Sequence, residues 1–200
     1  EESTYEASSD LLDFCFTEKQ NIVWWDAKGK CWNKIPFETV IGDGTFSGLI
    51  PCSCVYPGSR HLEESEIEGI LSVLEEDGEI SEENSALLYN ADLVTRRHLL
   101  DRLFLFSNRW ITSNKENANL VSSVLQMSGH IIKRLDNGSK YGVTWVSRLE
   151  SPKIWFARCY GDYGRMKFKR VEYRPMWDLC VPSGMLVLRR NGKLFITGDC

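Results

Sequence analysis

The 200-residue sequence lacks the features that mark membrane and secreted proteins. No run approaches the roughly eighteen consecutive apolar residues of a transmembrane helix, and the acidic start has neither the basic nor the apolar region of a signal peptide. The seven cysteines are an odd number in a chain too long to depend on a disulfide framework. We therefore expect a cytoplasmic protein with reduced thiols.

The spacing of a structural zinc site is also missing. Only one residue separates Cys52 from Cys54, whereas zinc knuckles usually place at least two residues between their cysteines. None of the three histidines, His61, His98 and His130, sits beside a cysteine pair. We expect neither a structural metal nor another cofactor.

Basic residues are absent from one long stretch and concentrated in another. Between His61 and Thr95 there are eleven acids and no Lys or Arg, whereas Arg148 to Lys193 holds eleven basic residues and four acids. The acidic stretch would repel phosphate and the basic stretch would attract it. Two solvated faces of opposite sign are the simpler explanation of each stretch.

Short apolar segments between turn residues predict strands towards both ends of the chain. Near the start, LLDFCF and NIVWW are read as strands, with AKGK and NKIP as turns. After residue 129, IIKRLDNGSKYGVTWV is typical of a hairpin turning at Asn137-Gly138, and further turns are expected at GDYG, VPSG and RNG.

The middle of the chain changes to a helical period. Three segments between residues 63 and 129 carry apolar residues spaced three or four apart, which predicts amphipathic helices. The first of them is expected to end at Asp77-Gly78, and the third before Gly129. Their apolar stripes are Ile67, Ile70, Leu71 and Leu74; Leu99, Leu100, Leu103 and Phe104; and Ala118, Val121, Val124 and Leu125.

The C-terminal segment WDLCVPSGMLVLRRNGKLFITGDC resembles the end of inteins, the self-splicing protein elements. That family has a strand of the form Tyr-Asp-Leu-x-Val-Pro, a turn, and an apolar strand leading to His-Asn and a downstream Cys, Ser or Thr. Here Asp178 matches the first strand, while Gly198, Asp199 and Cys200 match the end.

A second segment, DLLDFCFTEKQNIVWW, is similar to the intein strand that carries Thr-x-x-His. Thr17 matches the threonine, and Gln20 stands in the histidine position. The resemblance implies a mostly β, horseshoe-shaped Hint fold interrupted by an α or α/β insertion. Residues 1–60 and 147–200 would form the splicing domain, and residues 61–146 would form the insertion.

The insertion itself resembles a LAGLIDADG homing endonuclease, a common passenger of inteins. HLEESEIEGILSVLEEDGEIS is similar to the first LAGLIDADG helix, and RRHLLDRLFLFSNRW to the second. The second segment has Ser107-Asn108 where the family has Asp-Gly. These nucleases need a metal-binding carboxylate from each helix, and only Asp77 remains. We expect an inactive nuclease remnant.

The first nucleophile of an intein, a Cys or Ser in a Gly-Asp-Thr-like segment, has no counterpart before Thr17. The sequence leaves two explanations open: it is a truncated part of a longer chain, or, more simply, a separate N-terminal intein fragment supplies this nucleophile. The chain would then be the C-terminal part of a split intein, acting in trans-splicing between flanking segments of a host protein.

The resemblance assigns a role to each matching residue. Cys200 would take over the acyl group as the second nucleophile, and Asp178 would orient or activate its thiol as an acid/base group. Thr17 and Gln20 would hydrogen-bond the upstream scissile amide. Gln20 can donate a hydrogen bond but cannot deliver a proton as histidine does.

Two departures concern the final cleavage step. The usual terminal Asn cyclises through its side-chain nitrogen, and Asp199 has no such nitrogen, so its carboxylate would have to form a strained anhydride. Gly198 occupies the position where a histidine often assists this step. Cyclisation is therefore expected to be slow or absent. Two explanations stay open: the element uses Asp naturally, or Asp replaces an Asn so that an intermediate is held.

Two other classes of function remain open. The helical segments are compatible with a DNA-binding or nicking protein whose binding surface would include Trp155, Phe156, Tyr160 and Tyr163. Loss of the second acid argues against cleavage but not against binding. The chain could also be a non-catalytic structural interaction domain, for which Cys200 has no chemical role.

Overall fold

The computed structural model describes residues 4–42, 48–158, 166–171 and 185–198. Within these ranges the protein is mostly β, with twelve strands and five helices. The strands are β1 (Thr4–Ser8), β2 (Asp13–Thr17), β3 (Asn21–Asp26), β4 (Cys31–Pro36), β5 (Leu49–Pro51), β6 (Arg109–Thr112), β7 (Ile132–Asp136), β8 (Tyr141–Trp145), β9 (Phe156–Arg158), β10 (Lys167–Val171), β11 (Met185–Arg190) and β12 (Lys193–Gly198). The helices are α1 (Phe37–Gly42), α2 (Glu64–Glu75), α3 (Glu82–Asn90), α4 (Leu93–Leu103) and α5 (Lys115–Met127).

The chain divides into two compact units. The first unit combines Glu1–Cys52 with Trp155–Cys200, and the second consists of Ser53–Ile154. The second unit is therefore inserted into the sequence of the first. Its identification as a nuclease-like insertion in a splicing domain, with the expected boundaries at residues 60/61 and 146/147, stays a prediction.

The first unit contains two antiparallel sheets. One has the strand order β10-β1-β2, and the other has the order β11-β12-β3-β5-β9, with β4 also paired to β3. Strands from distant parts of the sequence are neighbours in both sheets. The first unit is thus built from two chain segments that pair with each other.

Aromatic side chains dominate the core of the first unit. Alternate residues of β2 point to this core, so Phe14 and Phe16 are buried while Cys15 is only half-buried. The ring of Phe14 stacks on Phe195 of β12 with centroids 5.0 Å apart, and Phe37 closes the same cluster. Burial of these rings holds β2, β12 and α1 together.

Two of the five predicted turns outside the hairpin of the second unit are confirmed. AKGK forms the turn between β3 and β4, and RNG joins β11 to β12 with positive φ at Asn191 and Gly192, 48° and 70°. This is the backbone of a type I′ turn, which suits the twist of a hairpin. GDYG and VPSG lie outside the described residues.

The predicted turn at NKIP is wrong. Asn33 to Pro36 continue β4, and Pro36 is its last residue, opposite Asn21 of β3. Proline is tolerated at a strand end where its missing N–H interrupts no further pairing. The sequence pattern predicted a turn because proline is rarely found in the middle of a strand.

The second unit packs four helices with a three-stranded antiparallel sheet of order β6-β8-β7. Helix α5 is the centre of this unit, because every residue from Asn117 to Gln126 is buried. It lies against all three strands of the sheet. The unit therefore has its own hydrophobic core, separate from the aromatic core of the first unit.

All three predicted helices of this unit are confirmed as α2, α4 and α5, and so is the hairpin β7–β8. Gly138 in the hairpin turn has a φ of 84°, which explains why glycine stands there. The sequence analysis missed α1, α3 and β6. Helix α1 and strand β6 are short, and α3, in which Leu88 is the single buried residue, carries no apolar stripe.

None of the helices in the described ranges has the length and apolar character needed to cross a membrane.

His130 is buried in the core of the second unit. Its ring lies edge-on to Trp145 with centroids 4.8 Å apart, and Nδ1 is 3.3 Å from the hydroxyl of Ser147. Burial, and then the positive charge of Arg97, lowers the pKa of His130 to about 4, although Asp101 opposes this shift. The folded unit therefore holds this imidazole in its neutral form above that pH.

We predict that the stability of the second unit falls as the pH is lowered from about 6.5 to about 4. The unfolded chain binds the His130 proton near pH 6.5, whereas the folded unit resists it until about pH 4, so protonation favours unfolding in this window. The loss should reach roughly 3 kcal/mol at most. Urea unfolding at several pH values measures it.

The variant His130→Gln should flatten this pH dependence, because glutamine does not titrate. The exposed His98 provides the matched control, and His98→Gln should keep the dependence of the natural chain. An unchanged pH profile in His130→Gln would contradict the role assigned to the buried imidazole.

Candidate functional site

The two segments that resemble intein motifs meet in the first unit. β12 pairs antiparallel with β3, with Thr197 directly opposite Ile22. Gly198, the last residue of β12, therefore lies beside Asn21 at the start of β3. This pairing brings Gly198, the last described residue, close to the turn that follows Thr17.

Residues 17–20 form a tight turn between β2 and β3. The backbone N–H of Gln20 donates to the carbonyl of Thr17 at 3.2 Å, and the Gln20 carbonyl accepts from the N–H of Phe37 at 3.0 Å. Glu38 donates a further backbone hydrogen bond to Glu18 at 2.9 Å. The start of α1 thus fixes the turn, and Thr17 and Gln20 are both half-buried in it.

A hydrogen-bonded chain joins this turn to β12. The side-chain amide Nε2 of Gln20 donates to Oγ1 of Thr197 at 3.2 Å, and that hydroxyl lies 2.8 Å from the carbonyl of Asn21, to which it donates. Thr197 is only 3% exposed, so its hydroxyl depends on these partners. A hydroxyl can donate once and accept up to twice, and here it donates to Asn21 and accepts from Gln20.

Gly198 is buried and closely approached. A Cβ placed on it would lie 3.2 Å from Cβ of Asn21 and 3.2 Å from Cδ of Lys34. A larger residue would fit only if the flexible Lys34 side chain moved and the Cβ of Asn21 also shifted slightly. The space beside the predicted junction is therefore filled by a lysine from β4.

A small cleft lies next to this arrangement. It is lined mainly by apolar side chains together with Gln20 and Thr197, and its free volume is about 10 Å³, room for about one water molecule. Small-molecule sites are usually hundreds of Å³ in volume. This cleft is therefore too small to hold a separate metabolite.

The structure places three of the predicted site residues in this region. Thr17 and Gln20 share the turn, and Gln20 reaches the strand that carries Gly198. Asp178, Asp199 and Cys200 lie outside the described residues. The sequence analysis missed Thr197, Asn21 and Lys34, because nothing in the sequence shows that β12 pairs with β3.

Asp77 has a structural environment in the second unit. It ends α2 in the left-handed conformation, with a φ of 59°, and the following Gly78 N–H donates to the carbonyl of Val73 at 2.9 Å. This is the hydrogen bond of a Schellman helix end. The positive φ falls on Asp77 rather than on the glycine that the sequence pattern emphasised.

The carboxylate of Asp77 is occupied by hydrogen bonds. It accepts from the Thr112 hydroxyl and from both the hydroxyl and the backbone N–H of Ser113, the latter at 2.8 Å. The Ser113 hydroxyl and then the Thr112 hydroxyl lower the pKa of Asp77. Among the described residues, no group of three His, Cys, Asp or Glu side chains is placed to hold a metal ion.

The aromatic residues proposed for DNA binding are only partly described. Trp155 is half-buried against the core of the first unit, and Phe156 packs on Trp32 with ring centroids 5.8 Å apart. Tyr160 and Tyr163 lie outside the described residues. Trp155 and Phe156 therefore contribute to packing.

Two cysteines of the described ranges are poor nucleophiles. Burial raises the pKa of Cys52 to about 12 and also raises the pKa of Cys54, against the opposing charge of Arg96. A thiol reacts as the thiolate, which a raised pKa makes scarce. Both residues are suited to packing rather than to catalysis.

The chain matches no protein-family model, no curated protein and no solved structure. Any function must therefore be argued from the sequence and the structure alone.

We predict that Asp77 stabilises the second unit through its hydrogen bonds. Asp77→Gly relieves the positive φ but removes every acceptor, and should still lower the free energy of unfolding by about 1 kcal/mol. Asp77→Asn keeps an acceptor and tolerates this backbone conformation, so it should cost less. The measurement is urea unfolding in the absence of divalent metal.

The exposed Glu79 supplies the control, and Glu79→Gln should leave stability unchanged. Because the pKa of Asp77 is lowered in the folded protein, its contribution should be lost as the pH falls through the range of ordinary carboxylates and below it. An Asp77→Gly variant as stable as the natural chain would overturn this structural role.

Proposed function

We propose that this chain is a protein-splicing element. The observation that carries the proposal is the hydrogen bond between Gln20 and Thr197, which are 177 positions apart. Each lies in a segment that resembles an intein motif, one with the Thr-x-x-His strand and the other with the C-terminal junction. Their meeting at one place supports a shared reaction site, because splicing requires both junctions to be held close together.

The proposed reaction begins on an N-terminal intein fragment that carries the first nucleophile and its own flanking host segment. That nucleophile takes up the preceding acyl group, and the thiolate of Cys200 then attacks the resulting ester or thioester carbonyl and releases the first nucleophile. Asp178 serves as the acid/base group for the Cys200 thiol. The product is a branched chain with the host segment on Cys200.

The Thr17–Gln20 turn serves the upstream scissile amide. Gln20 is half-buried and its amide is already oriented by Thr197, so it can donate a directed hydrogen bond without reorganisation. It has no proton to give up to the departing nitrogen. The turn therefore acts by positioning the upstream scissile amide. Intramolecular reactions gain much of their rate from such positioning.

In this proposal the second unit is a folded insertion that takes no part in splicing. It has its own core, and the carboxylate of Asp77 is committed to Thr112 and Ser113. At the predicted second motif, Ser107 instead accepts a hydrogen bond from the N–H of Arg109 at 3.0 Å. These contacts favour an inactive nuclease remnant.

A second candidate function is DNA binding by the second unit. Register pairs Arg109 with Thr144 and Thr144 with Lys133, so these three residues form one row across β6, β8 and β7. Arg109 and Lys133 are exposed and could contact phosphate. This row favours binding, not cleavage, and does not compete with splicing in the first unit.

The proposed function predicts a covalent product between two polypeptides. The chain, extended by a short reporter peptide after Cys200, would be mixed with several N-terminal intein fragments and followed by intact-mass spectrometry. A ligated or branched product should form, should vanish with Cys200→Ala, and should increase with Asp199→Asn, because asparagine has the nitrogen that cyclises.

The control is Cys31→Ala, which removes an exposed free thiol elsewhere in the first unit and should leave the product unchanged. Equal losses in Cys31→Ala and Cys200→Ala would show nonspecific thiol exchange. Absence of any covalent product, with every fragment and every variant, would contradict the splicing function. It would favour DNA binding or a structural role instead.

A further inference from the structure

The sequence holds two Asn-Gly pairs, and both lie in hairpin turns. Asn137-Gly138 stands between β7 and β8, and Asn191-Gly192 between β11 and β12. An asparagine side chain deamidates when the backbone nitrogen of the next residue closes a five-membered ring on it. Glycine leaves that nitrogen least shielded, because it has no side chain. The two turns can therefore be compared as settings for the same reaction.

In the first turn a carboxylate holds the backbone nitrogen of Gly138. The Gly138 N–H donates to Oδ1 of Asp136 at 2.9 Å. A Cβ placed on Gly138 would meet nothing within 4 Å, so the surroundings of this residue are open. An amide nitrogen must lose its proton before it can attack, and a carboxylate within hydrogen-bond distance can take that proton. Asp136 therefore stands where a general base would.

The side chain of Asn137 is held over the same turn by hydrogen bonds to its oxygen. Oδ1 accepts from the N–H of Lys140 at 2.7 Å and from the N–H of Ser139 at 3.3 Å. Negative charge would develop on this oxygen when Cγ is attacked, and the two donors would stabilise it. Nucleophile, base and oxyanion donors are thus present within residues 136–140.

The second turn holds its asparagine in a different way. Nδ2 of Asn191 donates to Oδ2 of Asp13 at 3.0 Å, so the nitrogen that would have to depart is bound to β2. Gly192 is buried, whereas Asn137 and Gly138 are both exposed to water. The second turn should therefore protect its asparagine, although its Asn-Gly pair is identical.

We propose that Asn137 is a site at which the chain modifies itself, without an enzyme, to aspartate and isoaspartate. The proposal rests on the contacts of Asp136, Gly138, Ser139 and Lys140 and does not depend on the splicing function. It requires no reactant other than water, which reaches the exposed turn.

The reaction can be written with every atom placed. Asp136 accepts the proton of the Gly138 N–H, and this nitrogen attacks Cγ of Asn137, so that a C–N bond forms. The bond from Cγ to the side-chain nitrogen breaks, that nitrogen takes the proton back from Asp136, and ammonia leaves. Water then opens the cyclic imide at either carbonyl. Opening at Cγ gives aspartate, and opening at the backbone carbonyl gives isoaspartate.

The modification would change the β7–β8 hairpin in two ways. Both products add a negative charge to the turn, beside Asp136 and close to Lys140. Isoaspartate also inserts one carbon into the backbone next to the pair formed by Asp136 and Tyr141, and should loosen that pairing. The charge and the stability of this hairpin would therefore change with time.

The test incubates the natural full chain at physiological pH and temperature in water enriched in heavy oxygen, with peptide mapping by mass spectrometry. Residue 137 should gain heavy oxygen and become aspartate and isoaspartate roughly tenfold faster than residue 191, because only the first turn positions the reacting groups. In the urea-unfolded chain the two rates should be close to each other.

Two variants assign the base. Asp136→Asn keeps an oxygen that can accept from the Gly138 N–H but cannot take its proton, so deamidation at residue 137 should slow by roughly tenfold. Asp13→Ala, which alters the other Asn-Gly turn, is the matched control and should leave the rate at residue 137 unchanged.

An intact Asn137 after incubation, or equal rates at residues 137 and 191 in the folded chain, would overturn the proposal without any variant. Deamidation at residue 137 that continues at the natural rate in Asp136→Asn would overturn the assignment of Asp136 as the base. A loss in Asp13→Ala as large as in Asp136→Asn would also overturn that assignment.

Discussion

The arrangement of the first unit depends on the pairing of β12 with β3. Thr197 opposite Ile22 is the point of contact. The Phe14–Phe195 stack holds β12 against β2, and the ion pair of Arg190 with Glu6 at 2.6 Å joins β11 to β1. Without this pairing the turn after Thr17 and the end of β12 would have no reason to be neighbours. Aromatic burial stabilises the pairing. The polar site, formed by Gln20, Thr197 and the Asn21 carbonyl, depends on this pairing.

The polar site is small, buried and hydrogen-bonded. A buried hydroxyl such as that of Thr197 costs free energy unless it is satisfied, and Gln20 and the Asn21 carbonyl satisfy it in opposite directions. The result fixes the backbone next to Gly198 within narrow limits. Lys34 adds the positive charge that the other groups lack. The proposed splicing reaction would use this fixed geometry, since an intramolecular reaction gains its rate from the positions of the reacting groups.

The sequence predicted correctly those elements that depend on residues close together in the chain. The stripe of Ile67, Ile70, Leu71 and Leu74 predicted α2, and the Asn-Gly turn predicted the β7–β8 hairpin, because period and turn chemistry suffice there. Pro36 misled, since a proline at the end of a strand resembles a break. Gln20 and Gly198 were predicted from motif resemblance, and their roles stay predictions. Thr197 and Lys34 come close to them through the pairing of distant strands, which no local pattern encodes. Asp77 was correctly placed at a helix end, but its hydrogen bonds to Thr112 and Ser113 depend on β6, a strand that the sequence did not predict.

The central claim is that Gln20 and Thr197 act as one unit at the splicing junction. The most direct measurement is a double-mutant cycle on the rate at which the chain forms the branched or ligated product with an N-terminal intein fragment, with Gln20→Ala, Thr197→Val and both together. If the Gln20–Thr197 hydrogen bond positions the upstream scissile amide, each single variant should slow product formation severalfold and the double variant should be little slower than either, a coupling of about 1 kcal/mol. Effects that simply multiply, or single variants that form the product at the unsubstituted rate, would contradict the account.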